Sequence, residues 1–209
     1  AGKASARMAE AVEAAWGPCE GLVITRYGYG RPCAGIEIVE AAHPVPDEAG
    51  CAATARMLRL LDGLGEDDTV LALISGGASS LLVQPAGEMT LAEKQAVNAG
   101  LLASGAPIGH MNLIRKHLSA SALSVLDGES GVVPPGDPRL SRVENVVFAA
   151  PSQSLDAAAD LAQREGIRVK TLGDDLEGEA RDVARAHAAL AREMQERLAP
   201  GAAPVLLMS

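Results

Sequence analysis

A run of small residues, "SGGASS" at Ser75 to Ser80, follows the apolar stretch Thr69 to Ile74. Its chemistry is that of an anion cradle. Gly76 and Gly77 admit backbone angles closed to other residues, so successive N–H groups can converge on one oxygen-rich ligand. Ser75, Ser79 and Ser80 add hydroxyl donors, and a short helix opening at Ala78 would turn its first amides toward the same point. The competing reading is a tight strand-to-helix turn in which the glycines only relieve crowding.

Other residues suited to chemistry stand elsewhere in the chain. Lys3 follows Gly2 at the start of a helix, as the lysine of a P-loop does, but Ala4 replaces the required Ser or Thr, so that motif is not met. A cation among free helix amides is unfavourable unless an anion lies nearby; an exposed surface lysine is the alternative. "HPVPDE" stiffens His43 and Asp47 with two prolines, leaving His43 to bind a ligand or cap a loop and Asp47 to join it or cap a helix. In "MNLIRKHL", Asn112 and Arg115 share a helical face, a spacing suited to carboxylate or phosphate, although a solvated face is the commoner cause. "GYGRPCAG" from Gly28 lacks the third glycine and the helix of a dinucleotide fingerprint and reads as a turn.

The elements that must position these residues alternate. Residues 4 to 16, 47 to 64, 90 to 105, 107 to 118, 152 to 165 and 177 to 198 have helical spacing, with Asp47 as an N-cap and Thr90 with Glu93 as a capping box. Gly21 to Arg26, Gly35 to Glu40, Thr69 to Ile74, Asn145 to Ala150 and Ile167 to Leu172 read as strands, and Thr69 to Ile74 as a central parallel strand buried on both faces. Proline and glycine between 128 and 138 mark a loop. The expected fold is α/β and Rossmann-like, a mostly parallel sheet with helices on both faces.

Composition narrows the partners. The 209 residues carry a formal charge of −9 with no long basic run, which argues against nucleic acid and anionic membrane. One Trp, two Tyr and one Phe leave the core to Ala, Leu, Val and Ile. Three cysteines without metal-ligand spacing suggest buried free thiols in a reducing cytoplasm, and no apolar run approaches the roughly 20 residues of a spanning helix. A cytoplasmic protein acting on a small anionic metabolite is the expectation.

"AGKAS", "EAAHPVPDEAG", "LALISGGASSLL" and "MNLIRKHLSA", in this order and spacing, resemble the glycerate 2-kinase family, also labelled hydroxypyruvate reductase and known for its MOFRL C-terminal domain. The likeness covers most of residues 1 to 125, and residues 144 to 209 match more loosely, in pattern and in "EGEARD". It implies transfer of phosphate from ATP, with Mg2+, to the 2-hydroxyl of glycerate, in a cleft facing the protein's own C-terminal domain; a homodimer is compatible with it. It implies that Lys3 is catalytic and that Ser75, Gly76, Gly77, Ala78, Ser79 and Ser80 bind phosphate or substrate carboxylate, while Asn112 and Arg115 would orient substrate. His43 and Asp47 are further candidates, and no metal ligand is indicated. Two departures bear on this: Ala120 passes straight to "SALSVLDGES", so a segment is expected to be missing near residues 120–121, and the second domain would lie beyond Ser209. A nicotinamide-dependent hydroxypyruvate reductase and a non-catalytic anion-binding fragment are the alternatives.

Overall fold

The computed structural model describes residues 1–85, 89–106, 109–111, 136–176 and 178–209. They fall into two compact units, the first containing Ala1–Ser104 and the second the described residues from 136 onward with 105–110. The fold is α/β, and both strand ladders among the described residues are parallel.

In the first unit, α1 (Ser5–Trp16) leads to β1 (Gly21–Arg26) and β2 (Ile36–Ala41), which pair in parallel from Gly21 opposite Ile36 to Arg26 opposite Ala41. Side chains alternate along a strand, so each face of this ribbon receives a helix. Val23 and Ile36 meet Ala6 and Ala9 of α1, while Leu22, Ile24 and Ala41 meet Ala53 of α2 (Glu48–Leu61) and Leu81 of the one-turn helix α3 (Ala78–Leu81). Alanine at the helix contacts brings both backbones close to the sheet, and Ile24, fully buried, contributes about 1.5–3 kcal/mol by leaving water. The aromatic-poor core is thus made of the aliphatic residues that composition required.

Local signals behave as their chemistry dictates. The Thr90 hydroxyl accepts from the Glu93 amide at 3.2 Å and the Glu93 carboxylate accepts from the Thr90 amide at 2.8 Å, opening α4 (Leu91–Ala103) with a complete capping box. The loop entering β2 is clamped by Glu13, whose carboxylate accepts from the amides of Ala34, Gly35 and Ile36 at 2.5, 2.7 and 2.7 Å. These bonds, led by that of Ala34, hold the Glu13 carboxyl below its usual range. Gly28 takes φ +78° in the turn after β1, as the reading of "GYGRPCAG" requires.

The second unit contains α5 (Pro151–Arg164), β3 (Arg168–Thr171), α6 (Ala180–Glu196) and β4 (Val205–Met208), with β3 and β4 parallel from Arg168 opposite Val205. Ala159 and Ala162 form the buried stripe of α5, which packs on β3.

Two expected strands do not form. Thr69 to Ile74 has no strand ladder, and Val70, Leu71 and Ile74 are more than half exposed rather than buried on both faces. Only its end finds a neighbour: the Leu73 carbonyl accepts from the Ala1 nitrogen at 2.6 Å, and the Ser75 amide donates to the Ala1 carbonyl at 3.0 Å. Asn145 to Ala150 is likewise irregular, with Val146, Val147 and Phe148 exposed by 69, 78 and 65%. Strand propensity becomes a strand only where an adjacent backbone takes up its amides and carbonyls, and among the described residues none does so along either run. The three cysteines are free but half-buried rather than enclosed, and burial pushes the Cys33 and Cys51 thiols up. The helix expected from 107 to 118 is described only at 109–111, which is helical.

Candidate functional site

Three chain segments meet at the carboxyl ends of β1 and β2. Gly2 and Lys3 enter α1, Ser75 to Gly77 enter α3, and His43 follows β2 by two residues. The first segment is laid along β1 by the Gly2 amide, which donates to the Ile24 carbonyl at 3.1 Å. It is tied to the second by the Lys3 amide, which donates to the Gly76 carbonyl at 2.9 Å. Gly2 has φ +134°, and a Cβ there would lie 2.5 Å from the Ser75 carbonyl oxygen. Glycine is therefore needed for the close approach that joins Lys3 to the small-residue loop.

The Lys3 side chain runs along that loop. Its Cε lies 3.7 Å from where a Gly76 Cβ would be, and its Cγ 3.2 Å from the corresponding point on Gly77. A Cβ at Gly77 would crowd the lysine stem, whereas one at Gly76 would meet it at ordinary van der Waals distance. Among the described residues Lys3 has no carboxylate partner, and the Gly76 and Gly77 amides have no acceptor. A cation and two donors without an acceptor, at the end of a parallel ladder, fit phosphate or carboxylate oxygen.

The serines differ from one another. Ser75 Oγ accepts from the Ala4 amide at 3.0 Å and lies 3.2 Å from Ser5 Oγ, so it secures the first turn of α1. Ser80 is buried and donates to the Gly77 carbonyl at 3.1 Å, shaping α3 from within. Ala78 packs against the core cluster. Ser79 alone of the three serines is exposed, with no hydroxyl partner among the described residues. Sequence read all three as equivalent donors; for Ser75 the partners lie 70 and 71 positions away and leave no local signal.

His43 belongs to this cluster. Gly77 has φ +88°, and a Cβ on it would sit 2.7 Å from His43 Nε2 and 2.8 Å from Cδ2. Its loop is held rigidly: Pro46 is buried, and its carbonyl accepts from Gln95 Nε2 at 2.8 Å.

Asp47 has a structural occupation. Its Oδ1 accepts from the Gly50 amide at 3.0 Å as the N-cap of α2, and its Oδ2 accepts from the Tyr27 hydroxyl at 2.7 Å. Partial burial works against its charge, but the bonds from Gly50 and Tyr27 prevail and hold its carboxyl below the usual range. Tyr27, which sequence did not single out, thus joins β1 to the α2 cap. A group with a depressed folded pKa contributes stability that is present above its unfolded value, about 3.9, and is lost as pH falls through the folded one. Asp47→Ala is expected to cost roughly 0.5–2 kcal/mol at pH 7. In urea titrations the gap to the parent protein should narrow as pH drops below about 4, whereas a pH-independent gap would assign the loss to packing alone.

Asn112 and Arg115 lie outside the described residues. Among the described residues no group of three His, Cys, Asp or Glu side chains could hold a metal ion, and no helix is long and apolar enough to cross a membrane.

The family described as Domain of unknown function (DUF4147) matches residues 1–122. Two Agrobacterium vitis proteins that carry hydroxypyruvate reductase as a provisional name are 40% and 37% identical to all of this chain, which covers 61% and 69% of them. The alignments run over 267 residues although the chain has 209, so these relatives hold positions that nothing here matches. D-glycerate 2-kinase of Thermotoga maritima is 48% identical over 121 residues, 56% of this chain and 29% of that protein. The crystal structure of a glycerate kinase from Thermotoga maritima superposes with a TM-score of 0.74 at 30% identity, over 100% of this chain and 64% of that one. The chain thus spans about six to seven tenths of the length of the relatives that it matches throughout. It belongs to the DUF4147 family.

Proposed function

We propose that the full-length protein is a glycerate 2-kinase, a phosphotransferase that moves a phosphoryl group from ATP to the 2-hydroxyl of glycerate. The observation that carries this reading is the Lys3 stem lying along Gly76 and Gly77, its ammonium without a carboxylate partner among the described residues. Phosphoryl transfer asks a protein mainly for positioning and for positive charge beside the moving group. Lys3 supplies the charge. The Gly76 and Gly77 amides and the exposed Ser79 hydroxyl bind oxygen of phosphate or of the substrate carboxylate, and Ser75 and Ser80 hold the two turns that present them. Asn112 and Arg115 orient substrate in this reading. ATP supplies the transferable phosphoryl group. Magnesium commonly binds through phosphate oxygens with one or two carboxylates, so no closed protein cage is required of this domain.

The names and lengths of the relatives support two further statements. Residues of a C-terminal domain complete the site, and the positions that this chain lacks fall near residues 120–121, beside the end of the family match at 122. The names of the Agrobacterium vitis proteins favour a second reading, reduction of hydroxypyruvate with a nicotinamide cofactor. The turn at Gly28 to Gly35, which leads into a strand rather than a helix, weighs against it.

One comparison separates the readings. The full-length protein is expected to form ADP in a glycerate-dependent manner and to leave NADH absorbance unchanged with hydroxypyruvate. Steady NADH oxidation without glycerate-dependent ADP would establish the reductase. Binding of glycerate and ATP by calorimetry, with neither turnover, would leave an anion-binding protein.

A further inference from the structure

We propose that the His43 imidazole is the base that accepts the proton of the substrate's 2-hydroxyl, an assignment that deepens the kinase reading and rests on it. The edge carrying Nε2 faces Gly77, and Lys3 packs against the same glycine. Gly77 is the point where both side chains approach one backbone, and only a residue without a Cβ leaves room for them. The imidazole, the lysine stem and the loop amides therefore address one small volume at the carboxyl ends of β1 and β2. In this proposal the substrate oxygen is held beside Gly77, the residue that His43 Nε2 and the Lys3 stem both approach.

The neighbouring titratable groups are not suited to the task. Lys3, on the α1 side, is a cation and has no lone pair to offer. Asp47, four residues further along the same loop, has one carboxylate oxygen on the Gly50 amide and the other on Tyr27. Tyr27, at the end of β1, donates its own proton to Asp47, and its hydroxyl is held above the usual range by that bond. A neutral imidazole is the group whose ordinary pKa, about 6.5, suits proton abstraction near neutral pH. The loop that carries it is anchored by buried Pro46 and by Gln95, so little ordering is left to be done when substrate arrives.

A bond forms between the 2-oxygen of glycerate and the γ-phosphorus of ATP while the bond from that phosphorus to the bridging oxygen breaks. The hydroxyl proton passes to His43, and ADP departs with the electron pair of the broken bond. His43 then returns the proton to solvent.

The test uses the full-length protein. His43→Gln keeps a hydrogen-bonding amide but cannot take a proton; its kcat should fall roughly 10²–10⁴-fold with KM for glycerate within about threefold of the parent. The parent log kcat should decline on the acid side as the imidazole takes up a proton, and this limb should be missing from the variant. In a 13C-histidine spectrum of the parent, the resonance assigned by its loss in His43→Gln should move on addition of glycerate. That spectrum decides the matter should the variant fail to fold, and an unmoved resonance overturns the proposal. A variant with parental kcat, or with the acid limb intact, overturns it while leaving the kinase reading in place. Absence of glycerate-dependent ADP formation in the parent removes both.

Discussion

Lys3→Met in the full-length protein is expected to lower kcat on the order of 10³-fold, the range found when a cation beside a transferring phosphoryl group is removed. Methionine keeps the length and apolar stem that fill the groove beside Gly76 and Gly77, so the loss reports the ammonium rather than a cavity. Stability should move the other way. Lys3 stands two residues before α1, where the positive end of the helix dipole repels it, and its removal should raise stability by about 0.3–1 kcal/mol. Steady-state kinetics and thermal unfolding of the same sample check both. A variant that retains parental turnover would end the role assigned to Lys3, and one that loses turnover and stability together would point to a structural cause. The opposed signs are the signature of a residue kept for an absent anion rather than for the fold.

Gly2→Ala is the second large effect, and it falls on stability and activity together. The added Cβ would stand 2.5 Å from the Ser75 carbonyl oxygen and 2.8 Å from the carbonyl carbon, contacts that no side-chain rotation relieves. The backbone angle, φ +134°, is also one that alanine adopts only under strain. Strain of this kind costs roughly 1–3 kcal/mol, and forced overpacking about 1–3 kcal/mol more. Against a net stability of about 5–15 kcal/mol for a folded domain, this is a large fraction. Separation of the Gly2–Lys3 segment from Ser75 and Gly76 should also draw the lysine away from the loop. Gly100→Ala is the control: Gly100 lies within α4 with nothing within 4 Å of its missing Cβ, so alanine should stabilise by about 0.5–1 kcal/mol. Urea unfolding of the two variants should give shifts of opposite sign. Equal shifts would mean that the contact with Ser75 has no special cost.

The candidate site was legible as residue types and illegible as roles. Lys3 and Gly76–Gly77 were each visible, the first as a cation where a helix does not want one and the second as a glycine pair after an apolar run. Nothing in the sequence stated that they touch, since 73 positions separate Lys3 from Gly76. Ser75 and Ser80 read as donors for a ligand, yet their hydroxyls serve α1 and α3. Asp47 read as a cap or a ligand contact, and its pairing with Gly50 and Tyr27 gives it a structural occupation.

Val70, Leu71 and Ile74, with Val146, Val147 and Phe148, show why two strand readings failed. Both runs have the β-branched and aliphatic character of buried strands, and both remain exposed. Such character is a preference for a half-buried pleated surface, and it is satisfied only when that surface exists. Relatives that align over 267 residues hold positions for which this chain has no counterpart.

Sequence alone determined what depends on contacts within a few residues: the capping box at Thr90 and Glu93, the Asp47 cap, the helical spacing of α1 and α2, and the strand character of β1 and β2. Tertiary structure decided which hydroxyls are occupied, which apolar runs find a ladder, and that Gly2, Lys3, His43 and Gly77 meet at one place. The physical reason is range. A cap or a helical stripe is closed by groups three or four positions apart, whereas a strand ladder or a binding site is closed by backbones brought together from distant parts of the chain, and only packing selects which ones.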